Sequence, residues 1–402
     1  PNRVRLVETF LRGFPKQDFL AKLKKETPKW MDNQINSDLK DLDKITPLAI
    51  DATFDKIFKT VPEQKKSFIR YRVIDNKVYR YFSKDVEITK REPSFEKALK
   101  TLTKLTKLPN IDFIYSDMDG TPEEYTPKGF YITNEKEMQA PIFTRATIQN
   151  SPYVVLIPDY YSVSTKWEED CQKILNQMKE NPWEKKAALA FWRGGSHDKG
   201  YDIKSYKKRP RVVLAFLSKK YPQLIEAGIN KTEYMQFLDV LEKDNVIKPF
   251  ATVEDHLKYK FLPVLDGYMC TYPGYQWRLL SNSVCFKQKS NEVQWFYSAL
   301  KPYEHYIPVA NDMSDLVEKI NWAKKEDQKC EKIAKNATDF ILNNLMLEDV
   351  YLYLYKAIDS YSSHLKIDKN SLLKDTKSDP RWVCVQQRRK ANKILLKMKN
   401  EN

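Results

Sequence analysis

Apolar residues recur along the first part of the chain in two periods, one typical of helices and one typical of strands. Helical spacing over residues 10–23, 30–42 and 89–107 predicts three helices. Residues 67–82 instead alternate apolar and polar side chains about the turn Asp75-Asn76, which predicts a β-hairpin. We interpret these elements as scaffold.

Shorter apolar runs follow, and most of them end at turn residues. Residues 110–115, 140–146 and 153–158 predict strands. Residues 168–180 predict a helix that is broken at Asn181-Pro182. Because this break separates two series of strands and helices, we place a lobe boundary after residue 182.

The strands beyond this boundary end in turns that combine glycine with cationic or hydroxyl side chains. The predicted strands cover residues 187–192, 260–265 and 284–286, with a helix over 276–281 between the last two. The first strand runs into Arg193-Gly194-Gly195-Ser196-His197 and the second into Asp266-Gly267. Ligands of open α/β sheets bind at the carboxyl ends of the strands, so these turns predict a ligand crevice.

Three further helices are predicted over residues 315–322, 331–344 and 347–361. The alternation of strands and helices predicts an α/β protein, and 402 residues fit two lobes better than one domain or three. The predicted division is 1–182, 183–345 and a C-terminal segment, 346–402.

Charge and cysteine content narrow the choice of partner and compartment. The formal net charge is +15, but the lysines are spread among Asp and Glu and no nucleic-acid-binding motif accompanies them, so no nucleic acid partner is expected. Five cysteines form no CxxC pair and no zinc-like cluster with histidine. Reduced thiols, together with the lack of a long apolar run, predict a cytoplasmic protein.

The end of the chain is strongly basic. Residues 366–402 hold 11 Lys or Arg against 4 Asp or Glu. Six apolar residues fall on one helical face among these charges: Trp382, Val385, Ala391, Ile394, Leu395 and Met398. Such a helix suits the surface of an anionic membrane, and it equally suits a solvated terminal helix, so both interpretations stay open.

Five motifs in a fixed order carry a family resemblance. They are PWEKKAALAFWRGG (182–195), DHLKYKFLPVLDG (255–267), RLLSNSV (278–284), LKPYEHYIPV (300–309) and DLVEKINWA (315–323). Over roughly residues 110–360 the chain resembles glycosyltransferase family 90, which includes Rumi-type protein O-glucosyltransferases, fungal capsule xylosyltransferases and bacterial lipopolysaccharide-modifying enzymes. The resemblance implies a GT-B fold, with two Rossmann-like lobes facing a cleft and C-terminal helices that cross back to the first lobe.

The resemblance also implies a reaction and a catalytic base. Members transfer a sugar from a UDP-sugar with inversion and without a metal or other cofactor, and one Asp of the acceptor-side lobe takes the proton of the acceptor hydroxyl. The matching stretch here is FIYSDMDGTP (113–122). Asp119, before Gly-Thr-Pro, matches best, and Asp117 is the alternative.

The donor-binding residues follow from the same resemblance. Arg193 matches an Arg whose guanidinium forks onto the diphosphate. The complete set is Arg193, Gly194, Ser196, Lys260, Gly267, Gly274, Tyr275, Arg278 and Ser283. The family usually carries a second Arg directly after the glycine equivalent to Gly274, where this chain has Tyr275. Either Arg278, one turn later, replaces that charge, or the loop is organised differently.

The sequence thus predicts an inverting enzyme that transfers glucose, or a related sugar such as xylose, to a hydroxyl of a saccharide or a protein. A lipopolysaccharide or another glycan at a membrane face is the favoured acceptor. The alternative is a basic binding protein on the same scaffold, without catalysis, that engages nucleic acid or anionic glycan. Two formal glycosylation sequons, at Asn230 and Asn336, are interpreted as chance matches.

Overall fold

The computed structural model describes residues 16–42, 44–60, 68–82, 92–121, 131–197, 200–232, 235–271 and 274–386. The predicted positions outside these ranges, including 10–15, Pro122, Tyr272, Pro273 and the tail from residue 387, therefore have no structural account. Within the described ranges, no helix is both long and apolar enough to cross a bilayer.

The first lobe is built on a six-stranded mixed sheet with the order β13-β2-β1-β3-β4-β6, in which β13 is the late strand Trp382–Cys384. Its strands and helices are α1 Lys16–Leu23, α2 Lys29–Leu39, α3 Pro47–Thr60, β1 Phe68–Ile74, β2 Lys77–Tyr81, α4 Glu92–Leu105, β3 Ile111–Ser116, β4 Ile142–Thr144, β5 Ala146–Ile148, β6 Val154–Leu156 and α5 Thr165–Glu180. The β1–β2 hairpin is confirmed, with positive φ at Asp75 and Asn76. The strands β3, β4 and β6 are parallel, so their carboxyl ends point the same way.

The second lobe surrounds a five-stranded, all-parallel sheet with the order β12-β10-β9-β7-β8. Its elements are β7 Ala187–Gly194, α6 Pro210–Lys220, β8 Ile225–Ile229, α7 Leu238–Lys243, α8 Val253–His256, β9 Tyr259–Val264, α9 Gly274–Leu280, β10 Val284–Gln288, β11 Glu292–Gln294, β12 Ile307–Val309, α10 Leu316–Lys325 and α11 Asp327–Asn344. The interior strands are buried on both faces, as their nearly continuous apolar sequences predict.

The chain then returns to the first lobe through helix α12, Leu347–His364. Tyr361 Oη donates to the carbonyl of Asp112 on β3 at 3.0 Å, and Tyr353 Oη donates to the carbonyl of Leu156 on β6 at 3.2 Å. Two α/β lobes with a cavity between them and a C-terminal helix that crosses back constitute the predicted GT-B arrangement.

Two sequence-based predictions are corrected. The single strand predicted over 140–146 is two strands, because Arg145 turns inward between them; β4 joins the main sheet, whereas β5 pairs with β11. The prediction of an amphipathic terminal helix is also wrong at its first residues, Trp382 and Val385. After α13, Lys369–Ser378, the chain forms β13, Trp382–Cys384, which extends the first sheet beside β2.

Trp382 and Val385 are consequently core residues of the first lobe and not part of an apolar helical face. The Trp382 ring lies 4.0 Å from the guanidinium carbon of Arg72, and the amide of Val385 donates to the carbonyl of Val78. The other four residues assigned to that face lie outside the described residues.

Candidate functional site

A cavity of about 550 Å³ opens between the two lobes. The first lobe contributes Asp119 and Tyr160. The second lobe contributes the turns after β7, β8 and β9, together with α6 and α9. The carboxyl ends of neighbouring parallel strands meet here, so the cavity lies where a ligand crevice is expected in such a sheet.

Arg193 and Gly194 bring the end of β7 into the cavity wall. The Arg193 guanidinium pairs with Glu226 and donates to the Trp192 carbonyl at 3.0 Å. It also lies 4.8 Å from the centre of the Phe191 ring. Arg193 is thus held in the wall by a carboxylate and by an aromatic face.

Arg211, on the first turn of α6, is a cation of the wall that sequence analysis did not identify. Its Nε donates to the Asp266 carbonyl at 2.9 Å and its Nη1 donates to the Gly195 carbonyl at 3.0 Å. The guanidinium therefore ties the turn after β7 to the turn after β9. A Cβ at position 267 would lie 2.8 Å from Arg211 Nη2, so a larger residue there would shift the guanidinium.

Asp266 places a carboxylate on the same wall. It accepts from Lys287 Nζ at 2.8 Å and from the Ser290 hydroxyl. Its amide donates to Gln288 Oε1 at 2.9 Å. This network fixes the end of β9 against β10, so the cations of the wall are presented on a rigid support.

Helix α9 supplies the predicted residues Gly274, Tyr275 and Arg278 to the lining. Arg278 Nη1 donates to the Gly274 carbonyl at 3.0 Å, and its guanidinium carbon lies 4.2 Å from the Trp277 ring centre. Tyr275 is buried, and its hydroxyl has no hydrogen-bond partner among the described residues. The structure thus brings Arg278 into the cavity that also contains Tyr275, the residue standing in place of the family's usual Arg.

The two candidate bases have different surroundings. The Asp117 side chain is fully buried, pairs with Arg145 and accepts from Tyr115 Oη at 2.9 Å. Asp119, two residues later, lines the cavity. Only Asp119 of this pair therefore has access to a molecule bound there.

The turn that carries Asp119 is fixed by its neighbours. Thr121 donates its amide to the Ala146 carbonyl at 3.1 Å, and its hydroxyl lies 2.7 Å from that of Thr147. Gly120 has φ 156°, and a Cβ there would lie 2.7 Å from the Ala146 oxygen. Any larger residue at position 120 would therefore displace the turn and move the Asp119 carboxylate.

Three predicted donor residues do not line the cavity. Lys260, near the start of β9, pairs with Asp327 at 2.6 Å. Ser196 is buried, and its hydroxyl has no partner among the described residues. Ser283 accepts from Lys186 Nζ at 2.8 Å and donates to the Tyr259 carbonyl.

Lys186 explains the placement of Ser283. Its ammonium group also donates to the carbonyls of Leu257 and Ser281, at 2.8 and 3.0 Å. Burial lowers the pKa of Lys186 to about 7. Ser283 is thus one of the acceptors that surround the buried Lys186 ammonium group.

Two histidines of the second lobe are shifted toward the neutral form. Burial, reinforced by Arg211 and Arg209, lowers the pKa of His197 at the cavity wall. Burial and the charge of Arg278 lower the pKa of His256 to about 3. At neutral pH the positive charge of the wall therefore comes from its arginines and from Lys231.

Arg211, Lys231 and Phe250 line the cavity but were not predicted from the sequence, whereas the Asp266-Gly267 turn was. Arg211 belongs to the run KKRPR, whose charges resemble an exposed surface patch. Phe250 lies far along the chain from any predicted strand end, so no local pattern marked it.

The model of glycosyl transferase family 90 matches residues 25–398. The chain is 28% identical to Protein O-glucosyltransferase 3 of Homo sapiens over 352 residues, which is 84% of this chain and 65% of that protein. It is 31% identical to Protein O-glucosyltransferase 1 of Rattus norvegicus over 211 residues, which is 52% of this chain and 50% of that protein.

The matches cover about half to two thirds of the length of these curated relatives. Among solved structures, Anabaena HepE in complex with UDP-glucose aligns with a TM-score of 0.39 and 11% identity, over 68% of this chain and 77% of that one. The family match spans nearly all of the sequence and includes both walls of the cavity. The chain belongs to glycosyl transferase family 90.

Proposed function

We propose that this protein transfers glucose, or a related sugar such as xylose, from a UDP-sugar to an acceptor hydroxyl. The observation that carries the proposal is the cavity between the lobes, where the Asp119 turn faces a wall containing Arg193, Arg211 and Arg278. A diphosphate leaving group requires the cations, and an attacking hydroxyl requires the base. Membership of family 90 supports the same reaction.

The proposed mechanism is a single displacement with inversion. The acceptor oxygen attacks the anomeric carbon, the bond from that carbon to the diphosphate oxygen breaks, and UDP leaves with the electron pair. Asp119 takes the acceptor proton from the side opposite the leaving group, because it lies on the first lobe. The arginines of the second lobe stabilise the charge that develops on the diphosphate without a metal ion.

The acceptor is proposed to be a hydroxyl of a protein or of a saccharide. The curated relatives are named protein O-glucosyltransferases, which favours a protein. A lipopolysaccharide or another glycan remains the alternative predicted from the sequence. Cytoplasmic localisation and peripheral membrane contact also remain predictions, although Trp382 and Val385 no longer contribute to a membrane-binding face.

The test is release of UDP from UDP-glucose and UDP-xylose by the purified protein, with and without EDTA. We expect slow release in water, faster release with a suitable acceptor, and no loss on chelation. The anomeric configuration of the product, read by NMR, should be opposite to that of the donor. A folded protein that neither binds nor cleaves either donor would favour the alternative, a basic binding protein on this scaffold.

A further inference from the structure

The first lobe reaches the cavity at two turns, one after β3 and one after β6. Asp119 stands in the first turn and Tyr160 in the second, and no other described residue of this lobe lines the cavity. The strands β3 and β6 are not neighbours, because β4 lies between them in the sheet. The placement of one turn relative to the other therefore depends on the residues at the end of β4.

Arg145 occupies this position, between Thr144 at the end of β4 and Ala146 at the start of β5. The Ala146 carbonyl accepts from the Thr121 amide at 3.1 Å, which ties it to the turn after β3. The Thr144 carbonyl accepts from the Ile157 amide at 2.9 Å, directly after β6. Backbone hydrogen bonds on both sides of Arg145 thus connect it to the two turns.

The side chain of Arg145 also contacts both turns. Its guanidinium pairs with Asp117 in the first turn, and its Nη2 donates to Tyr115 Oη at 2.7 Å. Its guanidinium carbon lies 5.3 Å from the centre of the Tyr160 ring in the second turn, which is within the range of a cation–π contact. One planar group therefore reaches the support of the base and the second first-lobe residue of the cavity.

Asp159 fixes the turn that carries Tyr160. Its Oδ1 accepts from the amides of Tyr161 and Ser162 at 2.9 and 2.7 Å, so the carboxylate closes the turn around Tyr160. Burial raises the pKa of Asp159, while these amides and the charge of Arg145 oppose the rise. The charge of Arg145 is thus favourable to a buried carboxylate in each of the two turns.

Stability alone does not explain a buried arginine at this position. Arg145 is 1% exposed, and its Nε and Nη1 have no hydrogen-bond partner among the described residues. Unmet donors in the interior destabilise a fold and are rare in native proteins. A buried ion pair is often no more stabilising than apolar residues of similar volume. The position of the guanidinium between two cavity turns supplies the missing reason.

We infer that Arg145 is a positioning residue for the transfer step, an inference that rests on the proposed function. It holds the Asp119 turn and the Tyr160 turn in one arrangement, and it is not itself among the described residues that line the cavity. A general base must lie within hydrogen-bond reach of the proton that it takes, and a displacement of about 1 Å can lower a rate about 10²-fold. Arg145 therefore acts on the rate of transfer and not on the binding of UDP, which the second lobe holds.

Turnover and donor binding separate this role from a purely structural one. Arg145→Gln removes the charge and the planar group, so the rate of UDP release from UDP-glucose, with water as the acceptor, should fall about tenfold or more. The KM for UDP-glucose and the calorimetric affinity for UDP should not change. A loss in kcat without a loss in donor binding is the expected signature.

Arg70→Gln is the matched control. Arg70 is 6% exposed, and its guanidinium donates to both carboxylate oxygens of Asp112 at 2.7 Å, so this variant also breaks a buried ion pair of the first lobe. Arg70 lies on β1 and is not part of the described cavity lining. Both variants should unfold at a lower denaturant concentration than the wild type, but only Arg145→Gln should lose turnover.

Arg145→Lys tests whether a positive charge is enough, and it carries the test if Arg145→Gln does not fold. An ammonium group keeps a partner for Asp117 but lacks the planar fork that reaches Tyr115 and the Tyr160 ring at the same time. Its unfolding midpoint should therefore lie above that of Arg145→Gln. Its turnover should still be about tenfold or more below that of the wild type.

Wild-type turnover in a folded Arg145→Gln or Arg145→Lys protein would overturn the positioning role and leave the proposed function intact. An equal loss of turnover in Arg70→Gln would also overturn it, because any weakening of the first lobe would then have the same effect. So would a loss of UDP affinity that matches the loss of turnover. A wild-type protein that binds UDP but releases none from UDP-glucose would overturn the proposed function, and this role with it.

Discussion

The two walls of the cavity are built in opposite ways. The second lobe presents several cations, with Arg193 at the end of β7, Arg211 on α6 and Arg278 on α9. The first lobe presents one carboxylate, Asp119, on a turn pinned by Gly120, Thr121 and the buried Asp117. A leaving group with two phosphates is held by many weak contacts, whereas a proton is taken by one group in one place.

The Asp119 wall is therefore the more sensitive to a single change. Asp119→Asn should lower the transfer rate about 10²–10⁴-fold, which is the usual contribution of a positioned base, and should leave UDP affinity unchanged. Rates of UDP release with acceptor, set beside calorimetric UDP affinities, check both parts. Full turnover by the variant would remove the base from this position.

Asp117→Asn tests the buried support of the turn that carries Asp119. Removing the charge leaves Arg145 buried without its partner, so the free energy of unfolding should fall by about 3 kcal/mol or more. Chemical denaturation measures this loss. The protein that stays folded should keep most of its activity, and a folded but inactive Asp117→Asn protein beside an active Asp119→Asn would exchange the two roles.

The sequence predicts those features of the two walls that depend on residues close together in the chain, and it does not predict those that depend on pairings between distant residues. The strands other than the one over 140–146, the glycine turns and Arg193 follow from periodicity and strand-end chemistry, and the structure has them at the predicted positions. The choice between Asp117 and Asp119 depends on Arg145, which lies 28 residues away along the chain from Asp117. Ser283 and Lys260 match donor motifs but pair with Lys186 and Asp327, and such pairings are set by the tertiary fold.

The edge of the first sheet shows the same limit. An amphipathic pattern favoured a helix through Trp382, yet the free edge of β2 offers hydrogen bonds that a strand can satisfy. Periodicity does not detect a partner strand 300 residues earlier. The sequence therefore predicts that the chain returns to the first lobe but not that Trp382–Cys384 forms a strand there.

Single cations of the second wall should have smaller effects. Arg211→Ala and Arg193→Ala each remove a charge-assisted contact of about 1.5–3 kcal/mol, so UDP affinity should fall roughly tenfold or more in each. The same measurement on Arg278→Ala shows whether that residue replaces the family's usual Arg. Lys260→Met is the matched control, because Lys260 pairs with Asp327 outside the cavity and its loss should leave UDP affinity unchanged.

Unchanged UDP affinity in a folded Arg211→Ala protein would limit that side chain to joining the two turns. A tenfold loss in Arg193→Ala but not in Arg211→Ala would assign the diphosphate contact to the end of β7. Either result would reduce the contrast between a distributed wall and a single base.

The smallest effect is expected from deleting residues 387–402, which follow the last described contact of the first lobe. Gln386 Oε1 accepts from the Val78 amide, so a chain ending at residue 386 keeps β13 and its contacts. Its unfolding free energy should stay within about 0.5 kcal/mol of the full chain, and its UDP affinity should not change. A chain ending at residue 365 loses β13 and should be clearly less stable, because Arg72 then loses both Asp375 and the Trp382 ring.

Vesicles of anionic lipid separate this structural role from a membrane role: weaker sedimentation of the 386-residue chain would assign membrane binding to the deleted basic residues. Equal sedimentation of the full and 386-residue chains would leave those residues as solvated surface, and the chain beyond residue 365 would then contribute to the first lobe through α13 and β13.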